Sequence, residues 1–341
     1  MKLYNAEIFA KDFSFVGAQQ LGAFEYEEDY LSVAPQSVVL FAKTAANVGD
    51  YIHITSLIDD EVVDGIISGI ENKGTVKKVK IKPLLALLDI QALNSYADTM
   101  EALIANGLEE CYISSNDAEQ TRQGMNITVG SSTALSPPEE KIINLYDYAS
   151  EYMKSHRIVV NMSLHPQDKR LDVFIGQNVK SGRVIEADLP NVLNKTIYYN
   201  DNGDNVNKII LVGADDSTAT YYRTTEGTVT MEPSEGTRIT PVIWEYKLLN
   251  YSGEEFAAQA LITAEETLKL SEFNNLIELE VISSDALIRP DALEFGESIC
   301  VISSGARYSS VVTGKKYKDG KTTIICGAIR LELTKIIKRR K

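Results

Sequence analysis

The sequence predicts a mixed β and α+β fold that is built mainly from short antiparallel strands. Runs in which apolar and polar residues alternate lie near both ends of the chain, and this two-residue period is typical of half-buried strands. A helix with a capping box starts at Ser252, and a stretch near the N-terminus resembles one near the C-terminus. We predict five segments: an N-terminal β barrel over 1–92, an α+β domain over 93–190, a β-rich segment joining the second barrel over 191–250, a helix over 251–271, and a C-terminal β barrel with a basic tail over 272–341.

Length and composition bound the class of protein. At 341 residues the chain is long enough for two or three domains with cores of their own. Its hydrophobic share of 44% and charged share of 24% are those of an ordinary globular protein. We find no signal peptide and no apolar run of the roughly 18 to 20 residues that a membrane helix needs. The net charge of −14 disfavours binding to DNA or to an anionic membrane, because both require positive patches.

Cysteine usage points to a reducing compartment. Cys111, Cys300 and Cys326 are odd in number and widely spaced, which argues against a disulfide framework. We therefore interpret them as small buried hydrophobic residues.

The first segment is predicted to be mostly strands. A glycine-bearing hairpin loop spans 69–74, and an apolar cluster around Leu84–Leu88 follows the last strand. The predicted strands are 2–9, 38–42, 51–57, 62–68 and 75–81.

The second segment is predicted to pack helices against a hairpin. One helix begins at Ser95 or Asp98 and runs to about Asn106, with Gly107 as its C-cap. A second helix starts at Ser136-Pro-Pro-Glu139, because serine at N-cap, proline in the first turn and glutamate at N3 form a capping signal. Its buried stripe is Ile142, Tyr146, Ala149 and Met153, and the hairpin strands are 158–164 and 171–175.

The third segment is again β, with strands over 197–200, 208–213, 219–224 and 241–246. Its loop Asn200-Asp-Asn-Gly-Asp-Asn205 is acidic enough to suggest calcium. The glycine is out of register for an EF-hand, however, and no glutamate closes a twelve-residue loop. We therefore interpret this loop as a turn.

The last two segments combine the capped helix with four strands. Behind Ser252-Gly-Glu-Glu255 the apolar residues recur at helical spacing, and Lys318-Asp-Gly-Lys321 is a hairpin-turn signal. The apolar stripe is Phe256, Ala257, Ala260, Leu261, Ala264 and Leu268, and the strands are 277–281, 298–303, 308–314 and 322–329.

The first and last regions share a pattern. Gly49-Asp-Tyr-Ile-His-Ile54 matches Gly296-Glu-Ser-Ile-Cys-Val301, and a glycine follows each at similar spacing, Gly69 in one region and Gly314 in the other. Either the chain carries two copies of one β barrel, or two short hairpins resemble each other by chance.

The sequence offers no catalytic constellation. His53, His156 and His165 have no second histidine or cysteine at metal-ligand spacing, and no nucleophile elbow, phosphate loop or dinucleotide fingerprint is present. A carboxylate pair for glycoside hydrolysis stays open, since the chain has 48 acidic residues. We predict no catalytic residue, no metal and no cofactor.

The C-terminus is the one basic region. Lys335 and the run Lys338, Arg339, Arg340 and Lys341 lie within seven residues that contain no acid. This run is either a solvated tail or a contact with an acidic partner or a neighbouring subunit.

The order of these elements resembles that of phage baseplate and tail-tip hub proteins, a family that includes the hubs of contractile tails and the tail-associated lysins of siphophages and prophages. The resemblance covers the whole chain and is strongest from Ser252 onward. It rests on the capped helix followed by Phe273-Asn-Asn-Leu-Ile-Glu-Leu-Glu-Val281, on Ile288-Arg-Pro290, on Leu293-Glu-Phe-Gly296, on 308–314 and on Arg330-Leu-Glu-Leu-Thr334.

The resemblance implies a structural protein of the virion tail tip, made in the host cytoplasm. It implies a homotrimer in which each subunit supplies two barrels of the tail-tube type, so that a ring of six barrels extends the tail tube. The implied partners are the distal tail protein, the tail tube and tape-measure proteins, and a tip fibre or spike, with DNA only in transit. An acidic channel wall would repel the phosphates of that DNA.

Longer family members carry peptidase or cell-wall hydrolase domains after the hub. This chain stops at Lys341, directly after the second predicted barrel, so we expect no such domain and no enzyme. The alternative reading of the chain is a carbohydrate-binding or glycan-degrading β protein.

Overall fold

The computed structural model describes residues 3–22, 24–30, 32–34, 37–57, 62–93, 97–135, 141–178, 182–198, 206–225, 228–240, 242–268 and 276–327. The chain is mostly β, with short helices between several sheets, which confirms the predicted mixed β fold. It divides into two compact units, Met1–Ile197 with Leu276–Lys341 (unit 1) and Tyr198–Asn275 (unit 2). The five-segment division stays a prediction.

The first sheet of unit 1 is antiparallel and has the order β2-β1-β5-β6-β7-β4. Alternate residues of β1, such as Ala6 and Ile8, are fully buried in its core, as the two-residue period requires. The strands, including β3 outside this sheet, are β1 (Tyr4–Phe9), β2 (Phe15–Leu21), β3 (Glu25–Asp29), β4 (Ser37–Phe41), β5 (Tyr51–Ser56), β6 (Val62–Lys73) and β7 (Val76–Pro83). The sequence patterns predicted all of these except β2 and β3. The hairpin loop predicted over 69–74 is wrong, because β6 continues to Lys73 in register with β7 and the turn is only Gly74-Thr75.

The α+β part of unit 1 follows a 3-10 turn at Leu84–Leu88, which buries the predicted apolar cluster. Its three-stranded sheet has the order β11-β12-β9, and a two-stranded ladder joins β8 and β10. The elements are β8 (Gln91–Leu93), α1 (Met100–Leu108), β9 (Met125–Val129), β10 (Ile142–Asn144), α2 (Leu145–His156), β11 (Ile158–His165) and β12 (Arg170–Gln177).

Helix α1 continues through the glycine that was predicted to end it. Thr99 caps its N-terminus by accepting a hydrogen bond from the Ala102 amide, whereas Gly107 is buried inside the helix. A Cβ on Gly107 would lie 2.8 Å from Leu145 Cδ2. The prediction of a C-cap is therefore wrong, because this glycine serves close packing against α2.

Helix α2 begins later than the sequence signal indicates. Asn144 is its N-cap, with the side-chain oxygen accepting a hydrogen bond from the Asp147 amide at 2.9 Å. Tyr146, Ala149 and Met153 are buried as predicted, but Ile142 lies in β10 and is 58% exposed. The capping signal at 136–139 lies outside the described residues.

Unit 2 is a sheet with one helix packed on it. The sheet has the order β17-β16-β15-β18, and α3 covers one face through buried residues such as Phe256 and Ala260. Its elements are β15 (Lys208–Val212), β16 (Thr218–Arg223), β17 (Val229–Thr230), β18 (Trp244–Leu248) and α3 (Gly253–Leu268). Two strands that come before them in the chain, β13 (Arg183–Glu186) and β14 (Val192–Tyr198), pair in a sheet of unit 1. The helix predicted over 251–271 is thus present over Gly253–Leu268, and 269–271 and the loop 200–205 lie outside the described residues.

The second sheet of unit 1 has the order β13-β20-β21-β22-β19-β14, and β3 pairs with β21 off this path. The predicted hairpin turn is confirmed, since Asp319 and Gly320 both have positive φ, at 50° and 80°, as a type I′ turn demands. The remaining strands are β19 (Leu276–Ile282), β20 (Ser298–Ser303), β21 (Ala306–Lys318) and β22 (Lys321–Gly327).

Candidate functional site

The predicted contact residues Lys338, Arg339, Arg340 and Lys341 lie outside the described residues. Within the described part of the chain, no group of three or more histidine, cysteine or acidic side chains is placed to hold a metal ion. The three cysteines carry free thiols, and only Cys326 is buried as predicted, since Cys111 and Cys300 are half-buried. A search of the described residues finds no helix long and apolar enough to cross a membrane.

The two large sheets of unit 1 contain the same four-strand arrangement. In the first, β4 to β7 lie in the order β5-β6-β7-β4, and in the second, β19 to β22 lie in the order β20-β21-β22-β19. Every pairing in both sets is antiparallel. In each set the first strand of the four therefore pairs with the last.

The repeat extends to the turn that precedes the second strand of each set. Gly49 donates its amide to Ile67 O at 2.8 Å, and Ile67 returns its amide to Asp50 O at 2.8 Å. In the second sheet Gly296 donates to Val312 O at 2.9 Å, and Val312 donates to Glu297 O at 3.0 Å. Both glycines have positive φ, 93° and 76°, which only glycine adopts without strain.

The acid after each glycine closes the same turn. Asp50 Oδ2 accepts the Asn47 amide at 2.7 Å, and Glu297 Oε2 accepts the Glu294 amide at 3.1 Å. Both side chains are buried, and burial raises the pKa of Asp50. The glycine–acid pairs that matched in the sequence thus occupy equivalent positions in the two sheets.

A side chain joins the two edge strands of the first sheet. Gln19 on β2 donates its amide nitrogen to Leu40 O at 2.8 Å and accepts the Ala42 amide on Oε1 at 2.8 Å. Leu40 lies on β4, at the opposite edge of the sheet. The sheet is therefore curled, because its edges approach within the length of one glutamine.

The second sheet is curled by its connection. Strands β13 and β14 lie at opposite edges of six strands, which in a flat sheet would be about 24 Å apart. Only residues 187–191 join them, and fully extended that link spans at most about 22 Å. Backbone hydrogen bonds from Leu189 to Glu186 O and from Val192 to Leu189 O make it shorter still. Lys195 on β14 donates to Ser303 Oγ on β20 at 2.9 Å and also pairs with Asp188 in the link.

Strand β3 adds an acidic strand to this second sheet. Its sequence Glu-Tyr-Glu-Glu-Asp runs antiparallel to Gly-Lys-Lys-Tyr-Lys of β21. Glu25 forms ion pairs with Lys316 at 2.9 Å and with Lys318 at 3.2 Å. Opposite charges facing each other across a ladder favour this register, and we call the β3–β21 pairing the seam.

The inner end of the seam faces a cavity of about 710 Å³. Glu28 and Lys315 lie opposite each other in its wall, and Lys315 donates to Leu293 O at 2.6 Å. Burial raises the pKa of Glu28 to about 7, against the opposing charge of Lys315. Burial disfavours the charged form of Lys315 too, and it therefore lowers the pKa of this lysine.

A histidine–aspartate pair adjoins the seam. His53 Nδ1 lies 2.7 Å from Asp64 Oδ1, and Asp64 Oδ2 accepts the Leu164 amide at 2.7 Å. Burial opposes protonation of His53, but the hydrogen bond to Asp64 outweighs it and raises the pKa of His53. Tyr26 on β3 donates its hydroxyl to Asp64 O at 2.9 Å, so this pair connects the first sheet, the seam and the α+β part.

Sequence patterns missed the seam and the edge glutamine. The run Glu25–Asp29 has no apolar alternation, and the signal that could have found it is its charge complementarity to 314–318. Gln19 gives no local signal, because its role depends on β4 lying beside β2.

The fold matches known structures over nearly the whole chain. A chain of the P2 virion baseplate in its activated conformation is 12% identical, with a TM-score of 0.53 over 96% of this chain and 100% of that one. The 43 kDa tail protein of prophage MuSo2 from Shewanella oneidensis is 7% identical, with a TM-score of 0.55 over 95% and 98%. Prophage tail protein gp18 from Listeria monocytogenes EGD-e is 10% identical, with a TM-score of 0.51 over 100% and 98%.

No protein-family model and no curated protein sequence matches the chain. The predicted resemblance to phage baseplate and tail proteins is nevertheless confirmed at the level of the fold, since all three matched chains are of that kind.

Proposed function

We propose that this chain, which has the fold of phage baseplate and tail proteins, is the structural hub of a phage or prophage tail tip or baseplate. The observation that carries the proposal is the four-strand repeat with its shared glycine–acid turn. A hub that contributes two equivalent modules to a ring needs this kind of internal duplication. The end-to-end agreement of the fold with a baseplate chain supports the same role.

Each large sheet would form one barrel of the tail-tube type. The bridge from Gln19 to β4 supports this for the first sheet, and the short link between β13 and β14 supports it for the second. Closure removes exposed strand edges, which otherwise recruit other chains.

Three subunits would then form a ring of six barrels. Such a homotrimer adapts a six-fold tube to a three-fold tip and passes DNA during ejection. The net charge of −14 suits a channel through which phosphates must slip. We expect charge reversal of the carboxylates that line the channel to slow ejection, and an unchanged rate would contradict this part of the proposal.

The proposed partners are the other proteins of the tail. They are the distal tail protein, the tube and tape-measure proteins, and a fibre or spike at the tip, and the proposed location is the virion tail tip. The role is structural rather than enzymatic, and the basic run Lys338–Lys341 is the proposed contact with an acidic partner or a neighbouring subunit.

The first test is the solution mass of the purified chain by light scattering over a concentration series. Three chains of 37.7 kDa form a particle of about 113 kDa, which is the expected result. A mass that stays at two chains at every concentration would overturn the trimeric hub. If the chain is monomeric, the same measurement in the presence of the distal tail protein decides whether the ring forms on its partner.

A further inference from the structure

One face of the unit 2 sheet has no helix packed on it among the described residues. Helix α3 covers the side that carries Ile209 and Leu211, which are fully buried. Side chains alternate along a strand, so the intervening residues lie on the opposite side. By strand register this side, which we call the open face, consists of Lys208, Ile210, Val212, Thr218, Thr220, Tyr222, Thr230, Trp244, Tyr246 and Leu248.

The edge of the open face is aromatic and exposed. Trp244, Tyr246 and Leu248 on edge strand β18 are 54%, 60% and 79% exposed. The rings of Trp244 and Tyr246 meet edge to face with centroids 5.1 Å apart, so they form a ridge rather than a flat platform. Tryptophan and tyrosine in such positions are enriched at the centres of protein interfaces.

The charge of the open face differs from that of the rest of the chain. None of its ten residues is acidic, although the chain carries a net charge of −14. Two cations flank Tyr222: Lys208 Nζ lies 5.5 Å and Arg238 Cζ 5.3 Å from the ring centroid. Described acidic residues of unit 2 lie in turns, in α3 and on the other side of β18, as with Asp215, Glu254 and Glu245.

We propose that the open face binds a second copy of this chain. Two bodies with a net charge of −14 repel each other, and like charges brought together at an interface cost several kcal/mol. An acid-free aromatic face with two cations is the surface on which an acidic neighbour can dock, because its charge complements that neighbour. The inference rests on the proposed ring, and in a three-fold ring the face meets a different surface of the next subunit.

The chain supplies its own probe for this contact. Trp244 is the single tryptophan beside 17 tyrosines, so fluorescence excited at a wavelength that tryptophan absorbs and tyrosine does not reports on the open face alone. We would measure acrylamide quenching and emission wavelength across a dilution series, with light scattering on the same samples. The expected result is that quenching falls several-fold and emission shifts to the blue as the oligomer forms.

A double variant tests the face without losing the probe. Tyr246→Ser with Leu248→Ser should weaken association at least about tenfold, as expected for losing more than about 1.4 kcal/mol of contact energy. Leu287→Ser is the matched control, because Leu287 is 77% exposed in unit 1, and it should leave association unchanged. Unchanged denaturation midpoints would show that the variants are folded.

The outcomes separate this inference from the proposed ring. A trimer in which Trp244 stays fully quenchable, or which the double variant forms as well as the parent, overturns the open face and leaves the ring standing. If the purified chain is monomeric at every concentration, that result alone overturns the proposal that the open face binds a second copy. Shielding of Trp244 in the monomer by added oligosaccharide would assign the face to a saccharide instead.

Discussion

Glu28 on β3 lies directly opposite Lys315 on β21, in the wall of the cavity where the seam ends. Lys315 is only 7% exposed, so its ammonium group depends on Leu293 O and on nearby carboxylates for the interactions that water would otherwise supply. The pair places two ionisable groups on the strand pairing that joins the N-terminal part of unit 1 to its C-terminal sheet. Its protonation should therefore affect the stability of unit 1.

Glu28→Gln should flatten the pH dependence of stability. Burial raises the pKa of Glu28 from 4.5 to about 7 in the folded chain. Between these values the folded chain holds a proton that the unfolded chain has released, so stability falls as pH rises through the window. The variant should reduce this fall by on the order of 3 kcal/mol, measured as the free energy of unfolding in urea below pH 4.5 and above pH 7.

Glu25→Gln is the control with the opposite sign. Hydrogen bonds from Lys316 and Lys318 lower the pKa of Glu25. Its contribution to stability is therefore present above pH 4.5 and is lost as pH falls through the lowered value. Equal pH profiles for the Glu28 and Glu25 variants would contradict the assignment of the two environments.

Lys315→Met should destabilise unit 1 strongly at neutral pH. It removes the cation that opposes the burial-driven rise in the pKa of Glu28, so the carboxyl must either stay ionised without its partner or bind a proton that the unfolded chain does not hold. Removing one partner of a buried pair costs about 3 kcal/mol. Lys318→Met on the same strand removes a lysine that is 59% exposed, and it should cost less than about 1 kcal/mol. Adding Glu28→Gln to Lys315→Met should restore part of the loss, and a double variant that is no more stable than Lys315→Met would refute the coupling.

Gly296→Ala should be far more damaging than Gly305→Ala. Both glycines have positive φ, 76° and 79°, which costs a residue with a Cβ about 1 kcal/mol. A Cβ at Gly296 would also lie 2.6 Å from Val159 Cγ1, whereas the space around Gly305 is open. We expect losses of about 3 kcal/mol and about 1 kcal/mol in chemical denaturation, and similar losses would show that the repeated turn is not tightly packed.

Gln19→Ala should open the edge of the first sheet. It removes two hydrogen bonds to the backbone of β4, which should lower stability by about 1–2 kcal/mol and increase aggregation through the freed edge. Exposed Gln20 is the neighbouring control. If both variants unfold and aggregate alike, Gln19 does not hold the edges together.

The sequence predicted elements whose signal is local and missed those that depend on distant partners. The hairpin at Asp319-Gly320 was predictable because the backbone preference of these two residues is enough to form the turn. The match between the sequences around Gly49 and Gly296 also corresponds to equivalent turns in the structure. Gly107 was assigned to a helix end because a Leu145 packed against it cannot be seen along the chain. Strand β3 was not predicted because acidic residues are poor strand formers. It forms a strand because it pairs with the lysine-rich strand β21.

The candidate site was less predictable than the fold. The basic run at the C-terminus drew attention because charge is visible in sequence, whereas the open face is defined by which side of the sheet α3 covers. Trp244 and Tyr246 alternate with Glu245 and Lys247, a pattern that predicts one buried face. All five residues of β18 are exposed instead, because α3 packs against β15 and β16 and leaves this edge strand uncovered.

The seam also sets an order of events during synthesis. Asp29 pairs with Gly314, so the nascent strand must wait for its partner while almost all of the chain is made. At about 5–20 residues per second this wait is on the order of 15–60 s. Closing so long a loop is slow, and the glutamates of β3 repel other copies of the same segment on neighbouring ribosomes during that interval. The charges that hold β3 to β21 in the folded protein would thus also keep unpaired β3 segments of nascent chains from associating with each other.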